Sequence, residues 1–137
     1  MNYEQARKAI QGFFSSNFTA LNANKIAWDN VAFQIPKTKE AWIRFSIQNN
    51  ISGYKSFGKS KLTRREGIIF IQIFTPENTE TLQASQLTDS ITSIFETKLL
   101  GGVTFQSPDA REAGISEGWF QINISVPFYF DSITTYS

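Results

Sequence analysis

The sequence of 137 residues contains no cysteine and no histidine. Without cysteine there are no disulfide bonds and no thiolate metal ligands. Without histidine the chain lacks the side chain that most often moves protons at neutral pH. No Gly-x-Ser-x-Gly elbow is present either. No apolar run approaches the roughly 20 residues that cross a bilayer, and the N-terminus lacks the apolar core of a secretory signal. We therefore expect a soluble, non-catalytic protein made in the cytoplasm.

Charge is also scarce, because charged residues make up 18% of the chain, against about 25% in typical soluble domains. Aromatic residues make up 15%, and 13 of them are phenylalanine. The net charge of +1 is unevenly spread: residues 41–65 hold six bases and no acid (+6), residues 66–137 two bases and nine acids (−7), and residues 1–40 five bases and three acids (+2). A lightly charged, aromatic-rich and polarised surface is typical of a protein that partners cover.

Helical periodicity predicts two helices. Residues 3–21 place apolar side chains at helical spacing, which predicts a helix that docks through phenylalanines. A second helix is expected to begin at an N-cap at Asn78 or Thr79 and to end at Gly101-Gly102. Its predicted apolar stripe consists of Leu82, Leu87, Ile91, Ile94, Phe95 and Leu99.

Alternating and apolar segments predict the strands. They lie at residues 41–48, 54–63, 67–74, 103–106 and 119–128. Glu66-Gly67 is read as a turn, residues 67–74 as a strand buried on both faces, and residues 107–118 as a polar loop. Residues 28–36 are loop-like, with room for an edge strand that ends at Pro36. This order predicts one α+β domain over residues 1–137, with a mixed, largely antiparallel β-sheet of about five strands packed against two α-helices.

Two segments carry the most distinctive pattern. The first is Arg64-x-x-Gly67-x-Ile69-x-Ile71-Gln72-Ile73-Phe74-x-Pro76. The second is Gly118-Trp119-Phe120-Gln121-Ile122-x-Ile124-x-Val126-Pro127-Phe128, followed by Asp131. With these blocks in this order and spacing, the chain resembles the phage tail terminator (tail completion) family over roughly residues 3–131. It departs from the pattern after Pro76, where residues 77–81 replace the glycine-containing turn of many relatives, so no role of that loop carries over.

The resemblance implies a structural virion assembly protein without catalysis or cofactor. Such proteins form a ring, usually hexameric, that caps the head-proximal end of the tail tube, stops its polymerisation and offers a docking surface to the head. The implied partners are other copies of the chain, the tail tube protein and a head-completion or connector protein, with DNA only as passing cargo and no membrane. The implied location is the virion tail, assembled in the host cytoplasm. The alternatives are another head–tail connector or tail tube component, or a small nucleic-acid-binding module that uses the basic strand 54–65.

The basic strand is the first candidate interface with a neighbouring subunit or the tube. Its charges are Lys55, Lys59, Lys61, Arg64 and Arg65. Alternate residues of a strand share a face, so Lys55, Lys59 and Lys61 are expected to project from the same face. In a ring, this face could meet acidic residues of the next subunit. It could instead line the lumen that DNA crosses, or be a solvated edge that lysines protect from aggregation. All three interpretations stay open.

Aromatic residues near the C-terminus form the second candidate interface. Trp119 opens a predicted strand, where it is either a packing residue or an interface residue. Phe128, Tyr129 and Phe130 begin an apolar segment beyond the last predicted strand. This segment could fold back over a helix of its own chain, or it could insert into a neighbouring subunit or contact the tube.

Three weaker signals receive structural interpretations. Residues 53–60 match the letters of a nucleotide-binding P-loop, but another strand is predicted where that motif needs a helix, so the match is read as accidental. Tyr54 and Phe57 could stack on bases, although packing explains them as well. The acidic residues Asp109, Glu112 and Glu117 could bind a divalent ion, but their spacing matches no known calcium loop, and a solvated loop is the simpler interpretation.

Overall fold

The structure, a computed structural model, describes residues 1–50, 53–54, 60–79 and 81–135. Its elements in chain order are α1 (Tyr3–Asn17), a 3-10 turn (Ala23–Lys25), β1 (Ile26–Trp28), β2 (Trp42–Asn49), β3 (Gly53–Tyr54), β4 (Ser60–Pro76), α2 (Leu82–Thr97), β5 (Thr104–Phe105), β6 (Asp109–Ser116) and β7 (Trp119–Thr135). The predicted α+β class, with two helices and a largely antiparallel sheet, is confirmed.

Within the described residues, the strands form one sheet of seven strands rather than about five. Its order is β1-β2-β4-β7-β5, with β3 also pairing with β4 and β6 with β7. Every pairing is antiparallel except that of β1 with β2, which is parallel. The centre of the sheet consists of β4 and β7, each of 17 residues, which pair along their whole length from Ser60 opposite Thr135 to Pro76 opposite Trp119.

Both helices pack on one face of the sheet, which we call the inner face. Ile71 and Ile124 are cross-strand partners on this face, and neither side chain is exposed to solvent. They belong to one core cluster with the buried residues of α1 and α2. Phe14 of α1 lies at the centre of the cluster, with its ring 4.8 Å from Phe45 of β2 and 6.1 Å from Phe95 of α2. The opposite, outer face carries neither helix.

The predicted turn at Glu66-Gly67 is wrong, because β4 runs straight through it and pairs Gly67 with Phe128. Gly67 marks a close approach instead: a Cβ there would lie 2.6 Å from Cζ of Phe128. A glycine inside a strand can mark a bulge, a tight bend or a close approach, and at Gly67 it marks a close approach. The predicted burial of residues 67–74 on both faces is also wrong, since the outer-face side chains of Ile68 and Phe70 are only half-buried.

The predicted polar loop at residues 107–118 is mostly strand β6, which pairs with the first half of β7. A two-residue turn joins them, with φ of 52° at Glu117 and 87° at Gly118. Positive φ at both central residues is the geometry whose twist suits a tight hairpin. The strand escaped prediction because all eight residues are exposed, so it shows no alternation of apolar and polar positions.

Element ends also differ from the prediction. The second helix begins after Thr81, whose side chain makes no capping hydrogen bond. Both predicted N-caps lie in the turn before it: Asn78 has a φ of 62°, and the Thr79 hydroxyl donates a hydrogen bond to the carbonyl oxygen of Pro76. The helix ends at Thr97, so Leu99 lies beyond it and is 96% exposed. Helix α1 ends at Asn17 rather than at residue 21. The edge strand is β1, which ends at Trp28, well before Pro36. Strand β7 continues to Thr135, past the predicted end at residue 128.

Candidate functional site

The basic strand of the sequence prediction falls on the distal part of β4. Lys55 and Lys59 lie outside the described residues, and only the backbone of Lys61 is described, as part of β4. Arg64 and Arg65 lie where β4 pairs with the end of β7, beyond the part of β4 that β2 covers. The structure therefore brings these two arginines together with the C-terminal residues of the second motif.

Arg64 is held by its cross-strand partner Asp131. Its Nε donates a hydrogen bond to Oδ1 at 3.0 Å, and its second terminal nitrogen donates one to Oδ2 at 3.3 Å. The guanidinium also lies 4.2 Å from the centre of the Tyr129 ring. The hydrogen bond to Asp131 raises the pKa of Arg64. Both charged groups are about one-third exposed, so Arg64 stabilises this strand pair and retains some accessible surface.

Arg65 binds the N-terminus to the same strand pair. It donates hydrogen bonds to Oη of Tyr3 at 3.0 Å and to Oγ of Ser132 at 3.2 Å, and its guanidinium lies 4.7 Å from the Tyr3 ring centre. The Ser132 hydroxyl donates to the carbonyl oxygen of Met1. The Tyr3 ring meets Phe130 edge-on at 6.0 Å. We call these five residues the N-terminal clasp; they give Arg65 a role within its own chain.

The C-terminal aromatic residues separate by face. Phe128 and Phe130 are 2% and 1% exposed on the inner face, within the core of the chain itself. We therefore correct their interpretation as interface residues: neither ring is accessible to a partner in this structure. Tyr129 lies on the outer face and is half-buried, so a subunit or tube contact through it stays a prediction. The segment is part of β7, which is why it neither folds over a helix nor projects from the sheet.

Trp119 belongs to an aromatic cluster on the outer face. This cluster was not predicted from the sequence. Its centre is Trp42, whose ring stacks on Phe74 at 4.1 Å and on Phe33 at 5.2 Å and meets Trp119 edge-on at 6.1 Å. Among the described residues, Nε1 of Trp42 is buried without a hydrogen-bond partner. Trp119 is 9% exposed, so it acts as a packing residue. No spacing rule relates Phe33, in a loop, to the strand residues it covers.

The rest of the outer face is an open, mostly polar surface. One register row crosses five strands and consists of Ala27, Arg44, Gln72, Asn123 and Arg111. Two amide side chains thus lie between two guanidinium groups. Neither α1 nor α2 covers this face, because the buried residues of both belong to the inner core. Such a face can form hydrogen bonds and charged contacts with another protein.

A groove runs along the outer side of α1 beside strand β1. It has a volume of about 1020 Å³, and its lining includes Arg7, Lys8, Trp28, Asp29 and Val31. Arg7 donates a hydrogen bond to Asp29 Oδ2 at 2.8 Å. The backbone N–H of Ile47 donates to the same oxygen at 2.8 Å. We call this feature the β1 groove; the Asp29 carboxylate fixes its wall by joining α1 to β2.

The described acidic side chains do not form a cluster suited to a metal ion. In the ranges described above, no group of three acidic, histidine or cysteine side chains could hold a metal ion. Asp109, one of the acidic residues considered for an ion, accepts a hydrogen bond from Arg111 at 2.8 Å on β6. The P-loop match fails in its context, since Ser60 opens strand β4 where that motif requires a helix. Among the helices of the described part, none is long and apolar enough to cross a membrane.

Comparison with known proteins first defines the fold. One of 23 matching solved chains superposes on this protein with a TM-score of 0.62 at 15% sequence identity, covering 96% of this chain and 97% of the other. At that identity the likeness establishes the shared α+β fold alone. No match was found among curated proteins.

A family model then defines the class of protein. The model described as phage tail terminator protein matches residues 5–128. The chain therefore belongs to the phage tail terminator family, and its role is structural, in the assembly of a phage tail. Both motif blocks that carried the resemblance fall on the paired strands β4 and β7.

Proposed function

We propose that the protein is the tail terminator itself, an oligomeric ring of six subunits that caps the head-proximal end of the tail tube. The observation that carries the proposal is the family match over residues 5–128, nearly the whole chain. In this role the protein works by contact rather than by chemistry. Its partners are other copies of itself, the tail tube protein and a head-completion or connector protein, and DNA crosses the ring only as cargo.

Capping requires two different surfaces on each subunit. A tube grows because each added ring presents the surface that binds the next one; a terminator binds that surface and presents another in its place. The fold supports this division, because the inner face is covered by helices whose outward sides are polar, whereas the outer face is an open β-surface. One side can contact the tube while the other receives the head, and elongation stops.

The ring is tested by molar mass. The purified chain is analysed by size-exclusion chromatography with light scattering over a wide concentration range, with and without magnesium. A discrete species near six times 15.5 kDa is expected, with a ring visible by negative-stain electron microscopy. Open-ended growth into tubes would contradict termination and identify a tail tube component. A monomer that binds DNA in a salt-dependent way would favour the nucleic-acid-binding alternative.

Termination is tested in infected cells. A phage in which this gene is disrupted is expected to produce tails of variable and excessive length that carry no heads, located in the host cytoplasm where assembly takes place. Expression of the intact chain from a plasmid should restore tails of uniform length joined to heads. Normal tail lengths with only head joining lost would contradict capping and favour a head–tail connector.

A further inference from the structure

We infer that neighbouring copies of this chain join by strand addition, in which residues 31–36 of one copy lie along the outer edge of β6 in the next. We call residues 31–36, which belong to the loop between β1 and β2, the donor segment. The inference rests on the proposed ring and names the contact that builds it. Each copy gives its donor segment to one neighbour and receives a donor segment from the other.

Strand β6 is the receiving edge. It has eight residues, all exposed, and within the described part of the chain it pairs only with β7. The backbone N–H and C=O groups along its other side therefore have no strand beside them in these ranges, and such a row of groups is a template for another strand. Ile115 of β6 has 62% of its surface exposed, and covering a large apolar side chain is favourable. The edge thus combines backbone groups with an apolar contact for an added strand.

The donor segment has the pattern of a strand but no place in its own sheet. Its apolar residues Val31, Phe33 and Ile35 stand at alternate positions, and Pro36 ends the pattern, as expected of an edge strand. Among the described residues, 32–35 make no main-chain hydrogen bond to another main-chain group. Val31 and Ile35 are 60% and 47% exposed. The segment therefore offers a neighbour the same combination of backbone groups and apolar side chains that β6 can receive.

Phe33 anchors the donor segment to its own chain, far from its own β6. The Phe33 ring stacks on Trp42 of β2 at 5.2 Å. Strands β4 and β7 lie between β2 and β6. Three strand spacings of about 4.8 Å place Trp42 about 14 Å from β6, so the segment cannot pair with β6 of its own chain while Phe33 keeps this contact. The β6 that it can reach is that of another copy.

The charges of the two elements are complementary. Residues 109–117, which hold β6 and the start of its turn, carry three acids and one base, which gives −2. Residues 30–39, which hold the donor segment, carry two lysines and no acid, which gives +2. The acids that flank the second range, Asp29 and Glu40, each form an ion pair with a base of their own chain. Opposite charges on two patches favour contact between unlike patches over contact between like ones.

Lys37 and Glu112 are the charges most accessible for this contact. Both residues are exposed, and the ion pairs of the described residues involve neither of them. Lys39, in contrast, lies over the Trp119 ring of its own chain at 5.4 Å. We therefore assign the electrostatic part of the contact to Lys37 of one copy and Glu112 of the next.

The arrangement is head-to-tail, because the donor segment and β6 are different elements of each chain. Head-to-tail contacts produce rings when the rotation closes, whereas a contact between identical patches stops at a dimer. Pairing of β6 with β6 would bring two acidic edges together and leave the donor segment uncovered. The head-to-tail arrangement uses both elements of every subunit.

The contact can be tested by cross-linking, because the chain contains no cysteine of its own. Three double variants each combine Gln34→Cys, an exposed position in the donor segment, with Ala110→Cys, Ala113→Cys or Ser116→Cys on β6. These three positions cover the length of β6, so the test assumes neither the direction nor the register of the added strand. With a short bismaleimide, we expect at least one pair to give a ladder of covalent oligomers that ends at the ring size, because each copy reacts with two neighbours.

Matched controls separate this contact from chance collisions. Gln34→Cys combined with Ser93→Cys, an exposed position on α2, should give no ladder. Each single variant should stay monomeric on a denaturing gel. A dimer from Ala113→Cys alone would overturn the inference, because it would show β6 pairing with itself. If the parent is monomeric in solution, the same variants are cross-linked in isolated tails, where absence of a ladder also overturns it.

A charge exchange provides an independent readout. Lys37→Glu and Glu112→Lys should each weaken self-association about fivefold or more at low salt, because each places like charges across the contact. The double variant Lys37→Glu with Glu112→Lys restores opposite charges and should recover most of the lost association. Lys37→Glu with Glu96→Lys, exposed on α2, has the same net charge and should recover none. Equal recovery by the two double variants would refute the contact.

The outcomes also separate this contact from the proposed function. Unchanged urea unfolding of each variant shows that a loss of association is not a loss of folding. A ring by light scattering that no donor-segment pair cross-links, and that the charge exchange does not affect, would reject this contact and leave the proposed function standing. Absence of any assembly, both in solution and on tails, would reject both.

Discussion

Replacement of Gly67 by alanine tests the packing at the centre of the sheet. Gly67 lies opposite Phe128 in the register of β4 and β7. A Cβ built at Gly67 would lie 2.6 Å from Cζ of Phe128 and 2.8 Å from the backbone oxygen of Gln48. Favourable carbon contacts lie at about 3.5–4.0 Å. One of the two obstacles is backbone, so a rotation of the Phe128 ring alone cannot relieve the overlap.

The expected cost follows from this crowding. An added methyl group in a packed interior costs about 1–3 kcal/mol, because side chains and backbone must shift. Gly12 on α1 provides the matched control, since a Cβ there meets no atom within 4 Å. Glycine inside a helix is less stable than alanine by about 0.5–1 kcal/mol, so Gly12→Ala should raise the free energy of unfolding while Gly67→Ala lowers it.

Urea unfolding measures both effects. The free energy of unfolding in water is obtained by linear extrapolation to zero urea. If the slope of this line is the same for variant and parent, the two proteins expose similar surface on unfolding and their free energies can be compared. In the double variant Gly67→Ala with Phe128→Leu, the overlap of the new Cβ with the backbone oxygen of Gln48 remains. The double variant should therefore be no more stable than the single variant Phe128→Leu. If Gly67→Ala is as stable as the parent protein, the close approach of Phe128 to the β4 backbone is refuted.

Three further substitutions test local contacts. Lys25 pairs with Glu40 and lowers the pKa of the Glu40 carboxyl below its ordinary 4.5. The pair therefore stabilises the fold above about pH 4.5, and this contribution is lost as the pH falls through the lowered pKa of Glu40. Glu40→Gln should therefore flatten the fall in stability below pH 4.5 in urea titrations; an unchanged fall would contradict the pairing. Asp29→Ala removes the acceptor of the Ile47 N–H and should cost about 1–3 kcal/mol, measured by chemical unfolding, and no loss would contradict its role in the β1 groove. Ile71→Ala, at a site with no exposed surface, should cost about 2–5 kcal/mol, and a loss below that range in the same assay would place Ile71 outside the rigid core.

Features with a local cause could be predicted from the sequence. The start of α1 is an example: Asn2 accepts a hydrogen bond from the Gln5 N–H at 2.8 Å, and the Gln5 side chain accepts one from the Asn2 N–H at 2.9 Å. The two motif blocks are another, because they prove to be neighbouring strands. Gly67 of the first block lies opposite Phe128 of the second, so these two residues of the motif blocks are in contact in the folded protein.

Features that depend on distant partners could not be predicted. The N-terminal clasp joins Tyr3 to Arg65, which are 62 residues apart, and no local pattern relates them. Strand β6 is defined by its hydrogen bonds to β7 while both of its faces are exposed, so its side chains carry no periodic signal. The burial of Phe130 also depends on β7 continuing beyond residue 128, which in turn depends on its pairing with β4.

Growth of the tail tube in the presence of this protein tests the central claim most directly. Purified tail tube protein is polymerised alone and with increasing amounts of the chain, and tube lengths and ends are measured by electron microscopy. The account predicts a ring at one end of each tube and no further elongation when more tube protein is added to capped tubes. Continued elongation from ends that carry the protein, or incorporation of the protein along the tube, would contradict its assignment as the terminator.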